Sequence, residues 1–581
     1  MLDRRNFVKA LAATGIGTAT LHRSIAASVQ DAEATEVTAA MIKDAEWVSG
    51  NELTDEQREK LGREITRNLK QLTELRSIKI DHFELPAVQF ATLDSQSDLA
   101  TPNRDIQCTE NSPPVRPENN DQLAFMPVTE LSALIRHQQI TSQELTEIYI
   151  ERLEKYNPLL NCVVNLTSEL AMEQAAQADR EIAAGRYRGP LHGIPWGAKD
   201  LMSVPGYPTT WGIPQYKDRV IDDLATVAQR LNEAGAVLVA KLSLGAIAMG
   251  DQWFGGMTRN PWNPQQGSSG SSAGSASATV AGLVGFAIGT ETLGSIISPS
   301  RRCGSTGLRP TFGRVPRSGC MPLSWTMDKV GPITRSVEDA ALVFGAIHGA
   351  DGQDPTAINK AFHWPPTVDL QKIKVGYLKT RREINERPDL IKLRDIGVEL
   401  VEVEMPALPS RMLTNAIGIE GASIFEEMLN ADDTEGWNAW PSIFRSAQMT
   451  SAIDYLRFMR LRRRLMFEVE EAIKEVDVLI NVNDLLITNL TGHPSVVLPR
   501  EILESERNGM TPRSDVFMGH LHGEETLLAL TMAYQNTVDG HLKTPPLEKF
   551  RVEFEAGKLD DQQQSEKESD SKKSQSKDKG K

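Results

Sequence analysis

An α/β fold, with a central mixed β-sheet covered by helices, is what this sequence predicts, and three observations predict it. Helical stretches alternate with short apolar runs along most of the chain. Runs such as Ala236-Val237-Leu238-Val239-Ala240 are continuously apolar, as strands buried on both faces are. Of the 581 residues, 40% are hydrophobic and 24% charged, enough to fill a large core. A prior of roughly 150 residues per domain would allow three or four domains. The 63 basic and 78 acidic residues give a formal net charge of −15, which gives no support to a nucleic-acid partner. Four cysteines exclude a disulfide scaffold.

Taken in order, the chain begins with Arg4-Arg5-Asn6-Phe7 and a weakly apolar run from Ala10 to Leu21. This start is similar to a twin-arginine signal, with small residues for cleavage at Ser24-Ile25-Ala26-Ala27. The run is shorter than the roughly 20 apolar residues needed to span a bilayer. Residues 1–27 are therefore expected to be a signal peptide read by the Tat export machinery, placing the protein in the periplasm or otherwise outside the bacterial cytoplasm. Residues 28–122 are expected to be a helical extension and linker. Within them Thr54 and Gln57 fit a capping box, and Leu61, Ile65, Leu69, Leu72 and Leu75 share a face, which predicts a helix over 54–76. From Asp94 to Gln122 the composition turns polar and rich in Pro and Asn, which is linker chemistry.

The main body is placed at 123–550. Thr141 and Glu144 cap a helix carrying Leu145, Ile148, Tyr149 and Leu153, with a stop expected at Asn157-Pro158. A helix with Leu224, Val227 and Leu231 ends at Gly235, directly before the strand at 236–240. The alternation continues with a helix from Ser336 to Ile347 before a strand from Ile373 to Leu378. Further on, helix from Ala472 to Val476 precedes strand from Val478 to Ile480. Met449 to Lys474, with Arg460, Arg462, Arg463 and Arg464, reads as one long helix with a solvated charged face. No internal repeat is present. Residues 551–581, dominated by Lys, Asp, Glu, Ser and Gln, are expected to be a disordered charged tail.

Residues 265–310 carry the chemistry. Gly and Ser dominate, yet the apolar run from Leu283 to Ile288 lies inside, so the segment is no flexible linker. The glycine patterns of nucleotide-binding loops are absent. A serine nucleophile fits better, since it needs a base and fixed donors for an oxyanion, and the turn Thr290-Glu291-Thr292-Leu293-Gly294-Ser295 can aim successive N–H groups at one point. No histidine is near. Lys199, in Gly193-Ile194-Pro195-Trp196-Gly197-Ala198-Lys199-Asp200, would serve as base if burial lowered its pKa. From spacing alone, a salt bridge to a neighbouring carboxylate is the readier reading of that lysine.

Ser269-Gly270-Ser271-Ser272-Ala273-Gly274-Ser275-Ala276 and Gly289-Thr290-Glu291-Thr292-Leu293-Gly294-Ser295-Ile296 resemble the two core motifs of the amidase signature family, with the family's spacing between Ser271 and Ser295. Lys199 lies in its Gly-x-Pro-x-x-x-Lys-Asp motif. Cys303-Gly304, Gly307-Leu308-Arg309-Pro310-Thr311, Asp328-x-x-Gly331-Pro332 and Thr491-Gly492-His493-Pro494 match further along, so the resemblance covers roughly Met126 to Phe550. It implies one large catalytic domain and a Ser–Ser–Lys hydrolase in which one serine has a cis peptide bond. Ser295 would be the nucleophile, Lys199 the base and Ser271 the relay between them. Backbone N–H groups of Thr292, Leu293, Gly294 and Ser295 would form the oxyanion hole. The acyl-serine would be hydrolysed by water, so no metal or organic cofactor is implied.

The implied activity is that of an exported serine amidase hydrolysing a carboxamide C–N bond of a small-molecule amide. Two alternatives stand beside it: the glutaminase-type subunit of a tRNA-dependent amidotransferase, and a catalytically silent amidase-fold binding protein. The extension 28–122 is assigned either to covering the site or to a homodimer contact. Against the family pattern, Leu293 stands for a usual Gly, Glu291 for Asp, Ile297-Ser298 for Arg-x, and Ser269 and Ala273 for glycines, with Arg301-Arg302 slightly later. The segment between Val478 and Thr491 is short, which implies a differently shaped acyl pocket. His520-x-His522 has no third ligand nearby and is not read as a metal site. Cys303 and Cys320 are read as buried thiols rather than a pair formed in an oxidising periplasm.

Overall fold

The computed structural model describes residues 36–49, 52–79, 87–88, 106–109, 115–380, 382–481, 485–505 and 509–559. The signal at 1–27, most of the linker at 94–122 and the end of the charged tail lie outside the described residues. The centre is one sheet of 11 strands. They are β1 (Val163–Leu166), β2 (Pro195–Lys199), β3 (Val237–Leu242), β4 (Phe286–Glu291), β5 (Thr306–Arg309), β6 (Lys329–Thr334), β7 (Lys374–Leu378), β8 (Glu399–Val403), β9 (Val478–Ile480), β10 (Ser495–Ser505) and β11 (Gly509–Gly519). Their order is β1-β3-β2-β4-β6-β5-β10-β11-β9-β7-β8. The pairs β2–β3, β2–β4, β7–β9 and β7–β8 are parallel and the rest antiparallel. The sheet is therefore mixed, as expected. Every residue of β2 and β3 is buried, Lys199 and Lys241 included, and the rest of both strands is without charge.

Eight helices matter for the site and its surroundings: α1 (Ala39–Ser49), α2 (Asp55–Ser77), α3 (Ser142–Leu160), α4 (Ala273–Val280), α5 (Ile297–Cys303), α6 (Trp440–Gln448), α7 (Ala452–Ile473) and α8 (Leu485–Thr491). The capping boxes of α2 and α3 form as the sequence predicts, Thr54 with Gln57 and Thr141 with Glu144. The extension packs on the body through α2. Asn68 Nδ2 donates to Ser446 Oγ at 3.1 Å, and Arg76 pairs with Asp454 at 2.6 Å. No helix among the described residues is long and apolar enough to cross a membrane.

Several local readings are corrected. Pro158 does not stop α3, which runs on to Leu160 and ends at a left-handed Asn161. Leu159 and Leu160 are buried, and their burial holds the last turn despite the missing N–H. Leu224 precedes its helix, which spans Thr226–Glu233. The apolar run from Leu283 to Ile288 becomes strand only at Phe286, because the chain turns and bends from Ala281 to Gly285. Arg462 of α7 is not on a solvated face: it is buried and donates to the carbonyls of Leu490 and Thr326 at 2.6 and 2.8 Å. Residues 551–555, placed in the tail, complete the helix Leu547–Glu555, whose Leu547, Phe550 and Phe554 pack on the core. All four cysteines are free.

Candidate active site

Lys199 is the last residue of β2, and Glu291 the last of the parallel neighbour β4. Residues at the carboxyl ends of adjacent parallel strands face one crevice, which is where open α/β sheets place their ligands. The loop before α4 brings Ser271 and Ser272 to the same point. Lys199 Nζ lies 2.8 Å from Ser271 Oγ, 3.2 Å from Ser272 Oγ and 2.8 Å from Thr290 Oγ1. The amine is fully buried, and burial pushes its pKa down to about 7, against weaker upward pulls from Asp328 and Glu291. It has no salt bridge among the described residues. The neighbouring Asp200 turns to Lys241 on β3 instead, at 2.8 Å. Lys199 is thus a buried amine held by hydroxyls, able to take up a proton near neutral pH.

The Gly270–Ser271 peptide is cis. A Cβ on Gly270 would lie 1.8 Å from the Gly250 carbonyl oxygen, so only glycine fits there. Ser269 takes the place of a glycine at φ +61°, held by its N–H to Asp251 Oδ2 at 2.8 Å. The N–H of Ser272 donates to the Ser295 carbonyl at 3.1 Å, which docks the Ser271 loop onto the second serine. Ser295 is 7% exposed, and its hydroxyl has no hydrogen-bond partner among the described residues. The structure therefore joins Lys199 to Ser271 directly and sets Ser295 beside them without a bond from its Oγ.

The turn leading to Ser295 is held from behind by Glu291. Its Oε2 accepts the N–H groups of Ile296 and Ile297 at 2.8 and 2.9 Å. Its Oε1 accepts Arg309 Nη1 at 2.7 Å and Asn489 Nδ2 at 2.8 Å. Burial alone would raise its pKa, but Arg309, Lys329 and these donors together bring it to about 2. With the next two N–H groups taken by Glu291, those of Leu293, Gly294 and Ser295 find no acceptor among the described residues. Gly294 supplies the positive φ of the turn, +85°, so Leu293 in a usual glycine position costs nothing there. Thr292 is fixed through its hydroxyl to Asp328 Oδ1 at 2.6 Å.

A cavity of about 210 Å³ opens beside this turn, lined by Leu201, Thr290, Thr292, Cys320, Met321 and Leu323 among others. Its walls are largely apolar, with Asp328 and Lys329 at one side. Burial holds the Lys329 amine well below its usual value, and it reaches the Thr292 carbonyl at 3.5 Å. Sequence reasoning assigned no role to Thr290, Ser272, Asp328, Lys329, Arg309 or Asn489. Thr290, Ser272, Asp328 and Arg309 stood inside recognised motifs, but only the fold shows what they touch. Lys329 and Asn489 gave no signal. The downstream motifs meet at Arg309, which also donates to the His493 carbonyl and to Ser495 Oγ, at 2.8 and 2.6 Å. His520 is spent on the Val476 carbonyl, 2.6 Å from its Nε2.

An amine with a pKa near 7 acts as a base only when neutral. The kcat/KM for an uncharged amide should accordingly rise with pH through about 7 and level off above it, falling about tenfold per unit on the acid side. A pH–rate profile checks this, and a rate independent of pH between about 5 and 9 would contradict it.

The family model described as Amidase matches residues 144–482. A glutamyl-tRNA(Gln) amidotransferase subunit from Coxiella burnetii (strain Dugway 5J108-111) is 29% identical, covering 72% of this chain and 99% of its own. The protein of the same name from Roseiflexus sp. (strain RS-1) is 30% identical, covering 70% of this chain and 96% of its own. The solved native peptide amidase from Stenotrophomonas maltophilia superposes with a TM-score of 0.62 at 27% identity, over 72% of this chain and 98% of that one.

Proposed function

Because the chain belongs to the amidase family, we propose that it hydrolyses a linear carboxamide through an acyl-Ser295 intermediate. One observation carries this reading: Lys199, buried without a counter-ion and depressed to about 7, lies 2.8 Å from Ser271 Oγ. Ser295 Oγ attacks the carbonyl carbon while its proton passes by way of Ser271 Oγ to the neutral Lys199. The carbonyl oxygen becomes an oxyanion held by the N–H groups of Thr292, Leu293, Gly294 and Ser295. Collapse breaks the C–N bond, and the proton returns through Ser271 to the departing nitrogen. Water then attacks the acyl ester with Lys199 again as base, releasing the acid and restoring Ser295. No residue in this sequence of steps calls for a metal or organic cofactor.

The glutaminase-type reading has its own support. The curated relatives are named as amidotransferase components, and they favour it over an exported enzyme working alone. Export through the twin-arginine route rests on Arg4-Arg5 and the run that follows them, and a homodimer contact on the extension 28–122. A silent binding protein is disfavoured by Lys199, Ser271 and Ser295 all being in place. A fluorophosphonate probe should label the wild-type protein and not Ser295→Ala. Absence of labelling in the wild type would overturn the acyl-serine reading. Ammonia release across a panel of primary amides that includes glutamine separates the two enzyme readings, since a marked preference for glutamine supports the amidotransferase role.

A further inference from the structure

Next to the loops that carry Ser271 and Ser295 lies a second cleft of about 930 Å³, within the size range of small-molecule sites. It begins at the catalytic loops. Ser269, two residues before Ser271, and Ser298, three after Ser295, both line it. Ser298 donates its N–H to the Gly294 carbonyl at 2.7 Å, so the cleft and the turn share a wall.

The charges along this cleft are unequal. At its floor, Arg387 pairs with Asp389 at 2.8 Å and Arg500 with Asp515 at 2.9 Å. Asn481 Nδ2 ties the two carboxylates together, at 2.9 and 3.0 Å. These arginines are neutralised and hold the floor rigid. Around the rim stand Arg301, Arg302, Arg382 and Arg513, all exposed. None of the four has a carboxylate within ion-pair distance among the described residues, and Arg302 reaches only the neutral Gln266 side chain, at 3.2 Å. Four guanidinium groups without an ion pair among the described residues line one cleft in a chain whose net charge is −15, with Asp251 acting on Arg302 from a distance and Glu501 opposite Arg513 in the strand register. Guanidinium forks match carboxylate and phosphate oxygens two at a time, and clustered positive charge in a cleft concentrates anions.

We propose that this cleft binds an oxyanionic group, a carboxylate or phosphate, borne by the amide substrate at a distance from the scissile C–N bond. The inference rests on the acyl-serine reading of the adjoining turn and names the class of amide that turn acts on. Arg301 and Arg302 come from α5, which follows the nucleophile directly. Arg382 and Arg513 come from the far wall, one after β7 and one in β11. An anion bridging the two walls is held from both sides.

Citrate is a suitable probe. Isothermal titration calorimetry of the full chain should show citrate binding that weakens with added salt. In Arg382→Gln/Arg513→Gln the Kd should rise by roughly tenfold or more, given what a charge-assisted hydrogen bond contributes. In turnover, the kcat/KM ratio of succinamate to butyramide should exceed one in the wild type and fall at least about tenfold in the double variant. No citrate binding to the wild type, or an unchanged Kd and ratio in the variant, would overturn the proposal. Fluorophosphonate labelling of Ser295 reads the catalytic chemistry separately. Citrate binding lost while labelling is kept supports the cleft. A wild type that binds citrate but is not labelled keeps the anion site and removes the acyl-serine reading.

Discussion

Replacing Lys199 with methionine should lower kcat/KM by roughly 10²–10⁴ and flatten its dependence on pH near 7. The Nζ atom sits at the end of β2, within 3.2 Å of three hydroxyls, with no carboxylate neutralising it. Methionine fills a similar volume with apolar atoms and cannot take a proton. Removing a buried amine that has no counter-ion leaves no unpaired charge behind, so the stability cost should stay within about 1–3 kcal/mol, the range for the hydroxyl bonds it loses. Loss of turnover in a variant that still folds would separate chemistry from folding. Lys199→Arg should be equally inactive, because a guanidinium stays protonated over the whole range. A methionine variant that kept the wild-type pH profile and more than a tenth of the rate would remove Lys199 from the reaction.

Glu291→Ala should cost about 3–5 kcal/mol of stability, since it leaves the fully buried Arg309 without its carboxylate. The same change frees the N–H groups of Ile296 and Ile297 and loosens the turn in front of Ser295, so activity should fall by roughly 10²–10³ even below the melting transition. Chemical denaturation measures the first effect and kcat the second. A double-mutant cycle with Arg309→Met apportions the pair, because removing both charges costs less than stranding one. The linkage has a definite sign. The Glu291 pKa is lowered in the folded chain from 4.5 to about 2, so its contribution is present above about pH 4.5 and is lost as pH falls through about 2. A stability loss under about 1 kcal/mol in Glu291→Ala would contradict the clamp.

Local features were readable from the chain and fell where expected. Thr54 with Gln57 and Thr141 with Glu144 cap as their spacing predicts, because capping involves residues three apart. The continuous apolar run at 236–240 falls in a strand, Val237–Leu242, that is buried along its whole length. Readings failed where distant packing overrode a local rule. Pro158 continues a helix because Leu159 and Leu160 are drawn into the core, and Arg462 is buried because Leu490 and Thr326 present carbonyls to it. Ser269 holds a left-handed conformation through Asp251, a partner far away in sequence that no spacing rule names.

The sequence by itself determined the family, through ordered motifs around Lys199, Ser271 and Ser295, and with them the class of reaction. It also determined the caps of two helices. What only the tertiary structure decided is which of the two lysines flanking Asp200 on β2 and β3 is left without a counter-ion. Lys199 and Lys241 stand on adjacent parallel strands, and both are fully buried. Asp200, next to Lys199 in sequence, pairs with Lys241 across the strands and leaves Lys199 among hydroxyls. A buried ammonium needs a compensating charge, so the amine denied one is the amine that titrates near neutrality. That denial is made by strand register, which no local pattern encodes.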